Sequence, residues 1–278
     1  MTFGSFEIRA FVEHRFRLDG GLMFGVVPKT FWNKMIPADD NNLIPFVNNI
    51  FVLTAHGKHI IFDVGLGDTL SDREKKVYSP ESECLLTQGL ASLGLTVNDI
   101  DYVFLSHMHT DHAGAVVVAD NDGYRPRFPI ATYLMNRREW DAAINPDERT
   151  SSVYIPARYN AIKDAGKLEF YDGEQELFPG IRTVFTGGHS EGHSALEMES
   201  GGERVWFYAD MFPTVHHMRV PYVPATDVYP NQTMAVKRRI LPQLVDSDII
   251  LAFDHDINVQ FGKVVQVEKK VFVQKVDA

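Results

Sequence analysis

Apolar residues recur along this chain in short runs, most of them closed by glycine, aspartate or histidine. Residues 6–12 partly alternate between apolar and polar positions and predict a strand. Residues 49–55 and 59–64 predict two more, joined by the hairpin turn His56-Gly57-Lys58. Further strands are expected at 101–105, 130–135, 168–171, 181–186, 194–199, 204–208 and 248–253. Leu85, Leu86, Leu90 and Leu93 fall at helical spacing and predict a helix over 81–93. Helices are also expected at 136–143 and 233–244, with another starting at Ala113. The glycine-punctuated stretch 19–28 is either tucked into the core or used to line a pocket. The stretch 144–166, with Pro146, Tyr154, Pro156 and Tyr159, reads as an irregular or helical insertion. No repeat, low-complexity tract or linker interrupts the pattern, so one domain over 1–278 is expected. Both halves read as strands followed by helices. Two strand layers inside and helices outside give an α/β fold, a four-layer αββα sandwich.

Composition narrows the function classes. The chain has 278 residues, 45% hydrophobic and 23% charged, which suits a packed globular protein rather than a disordered one. Its net charge of −10 disfavours nucleic acid or an anionic membrane as partner. A single cysteine, Cys84, rules out an intrachain disulfide and reads as a small buried hydrophobe. No apolar run approaches the roughly 18 residues of a membrane span. The first residues lack a basic region followed by an apolar core, so no signal peptide is expected and a cytoplasmic location is the default.

Candidate chemistry concentrates in His107-Met108-His109-Thr110-Asp111-His112. The apolar run before it reads as a buried strand, so the cluster sits where a strand turns. In an extended segment His107 and His109 point to the same side. As the chain turns, Asp111 and His112 can face a second point. Imidazole and carboxylate suit divalent transition metals such as zinc. Four further residues lie at or just beyond expected strand ends: His189, His193, Asp210 and His255. Singly, each fits a turn cap or a solvated side chain. Together with the cluster they supply what two metals need. His107, His109 and His189 would hold one ion. Asp111, His112 and His255 would hold the other, with Asp210 bridging. His193 is read as supporting the ligands rather than touching a metal.

This pattern, His107-X-His109-X-Asp111-His112 followed by His189, Asp210 and His255, resembles the metallo-β-lactamase superfamily. Asp63-Val64-Gly65 resembles the family's early Asp-X-Gly turn, which implies that Asp63 supports the metal ligands. The resemblance implies an αββα sandwich with two divalent metals at one edge, zinc being expected and iron, manganese or cobalt acceptable. True β-lactamases lack the bridging Asp, and glyoxalase-type thioesterases add a helical domain for which little chain follows His255. The superfamily's nucleases carry basic surfaces that this acidic chain lacks. The segments 19–29, 186–194 and 209–214 are similar to the quorum-quenching branch that opens N-acyl-homoserine lactones. One departure is Pro213, where those lactonases carry a tyrosine that contacts the lactone carbonyl. His216, His217, Tyr222 and Tyr229 are candidates for the vacant role.

The expected reaction is attack by a hydroxide made available between two metals at neutral pH. Asp111 would orient it and pass its proton to the leaving oxygen. Met23, Phe24 and Trp32 are either an acyl-chain wall or ordinary core. The tandem His216-His217 either faces substrate or is solvated. The expected partner is a small lactone or ester, with no nucleic acid and no membrane, and a homodimer is compatible. A related branch hydrolyses phosphotriesters, an alternative for the same site. A more distant alternative is a serine hydrolase, since Gly188-His189-Ser190-Glu191-Gly192 fits a nucleophile elbow. That motif needs a following helix, whereas residues 194–199 alternate like a strand. A metal-dependent sensor or redox protein is disfavoured, because the superfamily's diiron proteins carry a flavin domain and a ligand glutamate that are missing here.

Overall fold

The computed structural model describes residues 1–121, 123–268 and 270–277. Alternation along the central strands explains the layers. In the strand Leu43–Ala55, Phe51 and Leu53 face one way and Ile50 and Val52 the other, and both sets are buried. Phe51 and Leu53 meet a second sheet, with the Phe51 ring 5.7 Å from that of Phe207 and 5.2 Å from that of Phe261. Ile50 and Val52 pack with Leu86, Leu90, Trp140 and Ile162. These come from the helices Leu86–Ser92, Arg137–Ile144 and Pro156–Asp164. The second sheet turns Val184, Trp206 and Leu251 outward onto Val236, Ile240 and Leu244 of the helix Pro230–Leu244. Full burial of each such side chain contributes about 1.5–3 kcal/mol. The four-layer αββα sandwich expected from the sequence is therefore the observed architecture.

Among the described residues, each of these two sheets has seven strands. The first runs Thr2–Phe3, Phe6–Asp19, Leu43–Ala55, Lys58–Phe62, Tyr102–Phe104, Thr132–Asn136, Leu168–Tyr171. The second runs Gln175–Phe178, Ile181–Phe185, Ser194–Ser200, Glu203–Phe207, Ile250–Ala252, Phe261–Val267, Lys270–Lys275. Within the first, Lys58–Phe62, Tyr102–Phe104 and Thr132–Asn136 are parallel. Within the second, Glu203–Phe207 and Ile250–Ala252 are parallel. The loops leaving the C-terminal ends of these parallel strands meet at one edge of the sandwich.

Several elements differ from expectation. The strand expected at 6–12 continues to Asp19, because Phe16 and Leu18 keep the buried alternation going. It carries a bulge at Glu13, between the pairs Val12–Asn49 and His14–Asn48. No long helix starts at Ala113. The chain makes one helical turn over Thr110–Ala113 and a tight turn over Gly114–Val116. The β-branched valines then enter a ribbon in which Val117–Asp120 pairs with Gly123–Pro126. The helix expected over 81–93 begins only at Leu86. A separate helix, Asp72–Tyr78, precedes it, started by a capping box between Ser71 and Glu74.

Candidate metal centre

The motif 107–112 leaves the buried strand Tyr102–Phe104 in extended form, so the rings of His107 and His109 come to lie 4.5 Å apart, edge to face. The turn Thr110–Ala113 then swings Asp111 and His112 round. It is closed by His112 N and Ala113 N, which donate to His109 O at 3.0 and 2.9 Å.

The distant residues arrive at the same place. His189 Nε2 lies 3.0 Å from His109 Nδ1 and 2.9 Å from Asp210 Oδ2. His255 Nε2 lies 3.1 Å from His112 Nε2 and 3.3 Å from Asp210 Oδ1. Asp111 Oδ2 lies 3.8 Å from His255 Nε2. Two donor groups result, His107 with His109 and His189, and His112 with Asp210, Asp254 and His255, each gathered within 4.8 Å. Asp254 was not anticipated, although it stands directly before His255.

This donor set fits divalent cations. His107 Nε2 and Asp210 Oδ1 are buried without a hydrogen-bond partner. Such an atom costs roughly 1–3 kcal/mol when left unmade. Imidazole nitrogens facing each other at 3.0 and 3.1 Å can share only one proton per pair. A cation satisfies all of these groups together, and the nitrogen-rich, partly carboxylate set suits a transition metal. Burial holds His107 and His109 well below the usual imidazole range, aided by neighbouring histidines, so both are in the neutral form that ligates. Burial opposes charge on His189 too, but Asp210 and Asp227 lift it to about 10. Against burial again, Asp254 and Asp210 lift His255 to about 9. Asp210 and Asp111 raise His112 in the same way. The carboxylates thus draw positive charge, proton or metal, to these ring nitrogens.

A second set of groups fixes the rings. Asp63 Oδ1 accepts Ser106 N at 2.7 Å, and its Oδ2 accepts Ser106 Oγ at 2.7 Å and His112 Nδ1 at 2.9 Å. Its backbone is left-handed, φ 47°, which turns the chain sharply under the histidine loop. Asp227 accepts His189 Nδ1 at 2.8 Å, and Val47 O accepts His255 Nδ1 at 3.0 Å. Glu139, fully buried, accepts Met108 N, Tyr154 Oη, Ser190 Oγ and Gly192 N, tying the loop of His107 and His109 to that of His189. Glu13, aimed inward by its bulge, accepts Leu66 N and Gly67 N beneath the Asp63 turn. Sequence reading singled out Asp63 but none of Asp227, Glu139 and Glu13, whose neighbours in sequence carry no signal.

Other expected residues are distributed as follows. His193 is buried beside His107, ring centroids 5.1 Å apart, with Nδ1 tied to Thr186 Oγ1. Phe24 stacks between Trp32 and His217, at 5.6 and 4.7 Å, and with Met23 and Tyr222 all are buried. For Met23, Phe24 and Trp32 the geometry is that of core. His217 shares Nδ1 with Thr214 Oγ1 and Nε2 with Met23 O, so its ring is fully engaged. His216 instead lines a cavity of about 250 Å³ beside His255, with Met35, Ile36, Val215 and Ile257. Tyr222 Oη accepts from Arg219 and Tyr229 Oη donates to Glu191, so each hydroxyl is engaged by a residue outside the candidate ligand set. Pro213 acts through its backbone, its carbonyl accepting His255 N at 3.1 Å. The nucleophile-elbow alternative is corrected: Ser190 is buried with Oγ donating to Glu139, and the strand Ser194–Ser200 follows where a helix is needed.

Residues 43–253 match the family described as the metallo-beta-lactamase superfamily. The chain belongs to that superfamily. Among its relatives, the N-acyl homoserine lactonase AttM of Rhizobium radiobacter is 29% identical over 174 residues, 57% of this chain and 60% of AttM. The N-acyl homoserine lactonase AiiA of Bacillus thuringiensis subsp. kurstaki is 28% identical over 171 residues, 60% of each chain. The matched stretch thus spans about 60% of the length of these curated relatives. A probable metal-dependent hydrolase from Staphylococcus aureus superposes with a TM-score of 0.90 at 30% identity, over 100% of both chains. The dizinc quorum-quenching lactonase AidC superposes with a TM-score of 0.82 at 22% identity, over 100% of this chain and 97% of AidC. At that identity the likeness to AidC speaks to the fold. This member of the metallo-beta-lactamase superfamily therefore has the family's sandwich, with its histidine and aspartate cluster at one edge. Among the described residues no helix is long and apolar enough to cross a membrane.

Proposed function

We propose that the protein opens N-acyl-homoserine lactones with two divalent cations, zinc being the expected metal. His107, His109 and His189 would hold one and Asp111, His112 and His255 the other, with Asp210 facing both. The supporting observation is the carboxylate of Asp210, whose Oδ2 lies 2.9 Å from His189 and Oδ1 3.3 Å from His255. One side chain thus addresses both groups. The lactonase names of AttM and AiiA support the substrate class.

When bound, such a pair of cations would supply Lewis acidity and acidify water, which favours ester opening at neutral pH. The protein's own groups do the rest. Asp63, Asp227 and the Val47 carbonyl each engage the far nitrogen of a ligand histidine, which fixes the tautomer and aims the other nitrogen inward. Asp111 accepts the proton of the attacking water and delivers it to the ring oxygen as the acyl–oxygen bond breaks, giving the open hydroxy acid. The largely apolar cavity beside His255 suits the acyl chain, and His216 on its wall offers a polar contact.

Pro213 favours a second reading, hydrolysis of phosphotriesters or other carboxylic esters, since the tyrosine that marks lactonases is replaced there. A hydrolysis panel separates the two: acyl-homoserine lactones of several lengths, an aryl ester, a phosphotriester and a thioester, with and without added zinc. The lactone reading expects metal-dependent ring opening to exceed turnover of the other substrates. A phosphotriester turned over faster than every lactone would reverse the order.

A further inference from the structure

We propose that Tyr78 is the positioning residue for Asp111, fixing the carboxylate in the orientation from which it carries the proton to the leaving oxygen. This rests on the assignment of Asp111 as proton carrier. Tyr78 ends the helix Asp72–Tyr78, and its hydroxyl donates to Asp111 Oδ1 at 3.3 Å. The other oxygen, Oδ2, faces His255 Nε2 at 3.8 Å. The two carboxylate oxygens are thereby told apart, one tied to a phenol and one turned to the cluster. Without that tie the terminal torsion of an aspartate is broad and permits either oxygen in either place. A hydrogen bond of this length is of the kind that tightens in reactive complexes.

The surroundings hold this relation rigidly. Tyr78 is buried, its ring edge-on to Phe16 at 6.0 Å, and Phe16 is edge-on to His255 at 6.1 Å. Glu74, one turn earlier on the same helix, accepts Arg158 Nη1 and Nη2 at 2.6 and 2.9 Å. Glu74 also accepts Thr110 Oγ1 at 3.2 Å, and Thr110 is the residue before Asp111. Arg158 Nη2 reaches on to Thr69 O at 2.7 Å. One buried carboxylate therefore pins both the helix that carries Tyr78 and the backbone that carries Asp111. A buried ion pair is a weak source of stability, and fixing geometry is its better-attested use.

The test is Tyr78→Phe, which removes one oxygen and keeps the ring. The expected result on the best substrate of the panel is a kcat reduced roughly 10- to 100-fold, the range for a hydrogen bond to a charged group, with KM changed less than about twofold. Zinc content should stay at the wild-type value. The cobalt-loaded protein should show an altered visible absorption spectrum, since the freed Asp111 carboxylate changes its hold on the metal. That spectrum needs no substrate, so it still tests Tyr78 if no lactone is opened. A second measurement needs no loss of the hydroxyl: Tyr78→3-fluorotyrosine should show a ¹⁹F resonance that moves on zinc loading. Unchanged kcat with an unchanged cobalt spectrum would overturn the proposal, as would a ¹⁹F resonance indifferent to zinc.

Discussion

Asp63→Asn replaces one carboxylate oxygen by an amide and leaves the size of the side chain alone. The carboxylate holds three donors: Ser106 N on Oδ1, and Ser106 Oγ and His112 Nδ1 on Oδ2, at 2.7, 2.7 and 2.9 Å. An asparagine that keeps its oxygen toward Ser106 N turns an NH2 group toward His112 Nδ1. Two donors then face each other, and the ring escapes only by moving its proton to Nε2. Nε2 is the nitrogen that lies 3.1 Å from His255 and 3.5 Å from Asp210, where a metal would sit. The substitution therefore asks one nitrogen to be both protonated and ligating. Loss of such an outer partner typically lowers metal affinity 10- to 100-fold, about 1.4–2.7 kcal/mol. The lost bonds to a charged acceptor cost the fold about 1.5–3 kcal/mol more. Competition with a chromophoric zinc chelator measures the first and urea unfolding of the metal-free protein the second. Zinc affinity within twofold of wild type would refute the tautomer argument, whatever happened to stability.

Three more expectations can be measured directly. Arg158→Met leaves Glu74 buried beside Thr110 and Ser71 without its cation, so it should destabilise the protein by about 3–5 kcal/mol in chemical denaturation; a neutral effect would mean that the pair carries no structural weight. Glu13→Gln turns an amide toward donors that include His14 Nδ1, Asn48 Nδ2, Leu66 N and Gly67 N, and should cost roughly 1–3 kcal/mol in urea. His189 at about 10 and His255 at about 9 lie above the usual imidazole value of about 6.5, so in the metal-free fold their protons stabilise fully below about pH 6.5 and less and less toward pH 9–10. A cation must displace those protons, so zinc uptake should release protons and tighten as pH rises over that window; calorimetry in buffers of different ionisation enthalpy checks this, and heats independent of buffer would count against it.

What the sequence disclosed and what it hid divide along a physical line. The strands that bracket the site are short apolar runs with sharp polar ends, so Tyr102–Phe104 and Glu203–Phe207 could be placed within a residue or two. The histidine motif is legible because its spacing is local. His189, Asp210 and His255 became legible only through that motif, since nothing near them distinguishes a ligand from a turn cap. The supporting carboxylates were hidden for the same reason: Glu139 sits on a helix and Glu13 on a strand, each among ordinary neighbours, and only folding shows that both point inward. Tyr78 was missed because its helix was not expected, the run 72–78 being mostly charged and its cap recognisable only from the Ser71–Glu74 pair. For Phe24 and Trp32 the sequence left core and acyl-chain wall both open, because aromatic residues suit either; in the fold their rings stack on each other at 5.6 Å.

The candidate ligands are supplied by both halves of the sandwich. Asp63 and the motif 107–112 hang from one sheet, while His189, Asp210 and His255 hang from the other. A cation held between them would act as a rivet through two plates otherwise joined by grease and a few stitches, such as Val47 O to His255 Nδ1 and Glu139 to Ser190 Oγ. Any slip of one plate against the other, even from a mutation among the phenylalanines far from that edge, would then be felt as a change in how tightly the rivet is gripped.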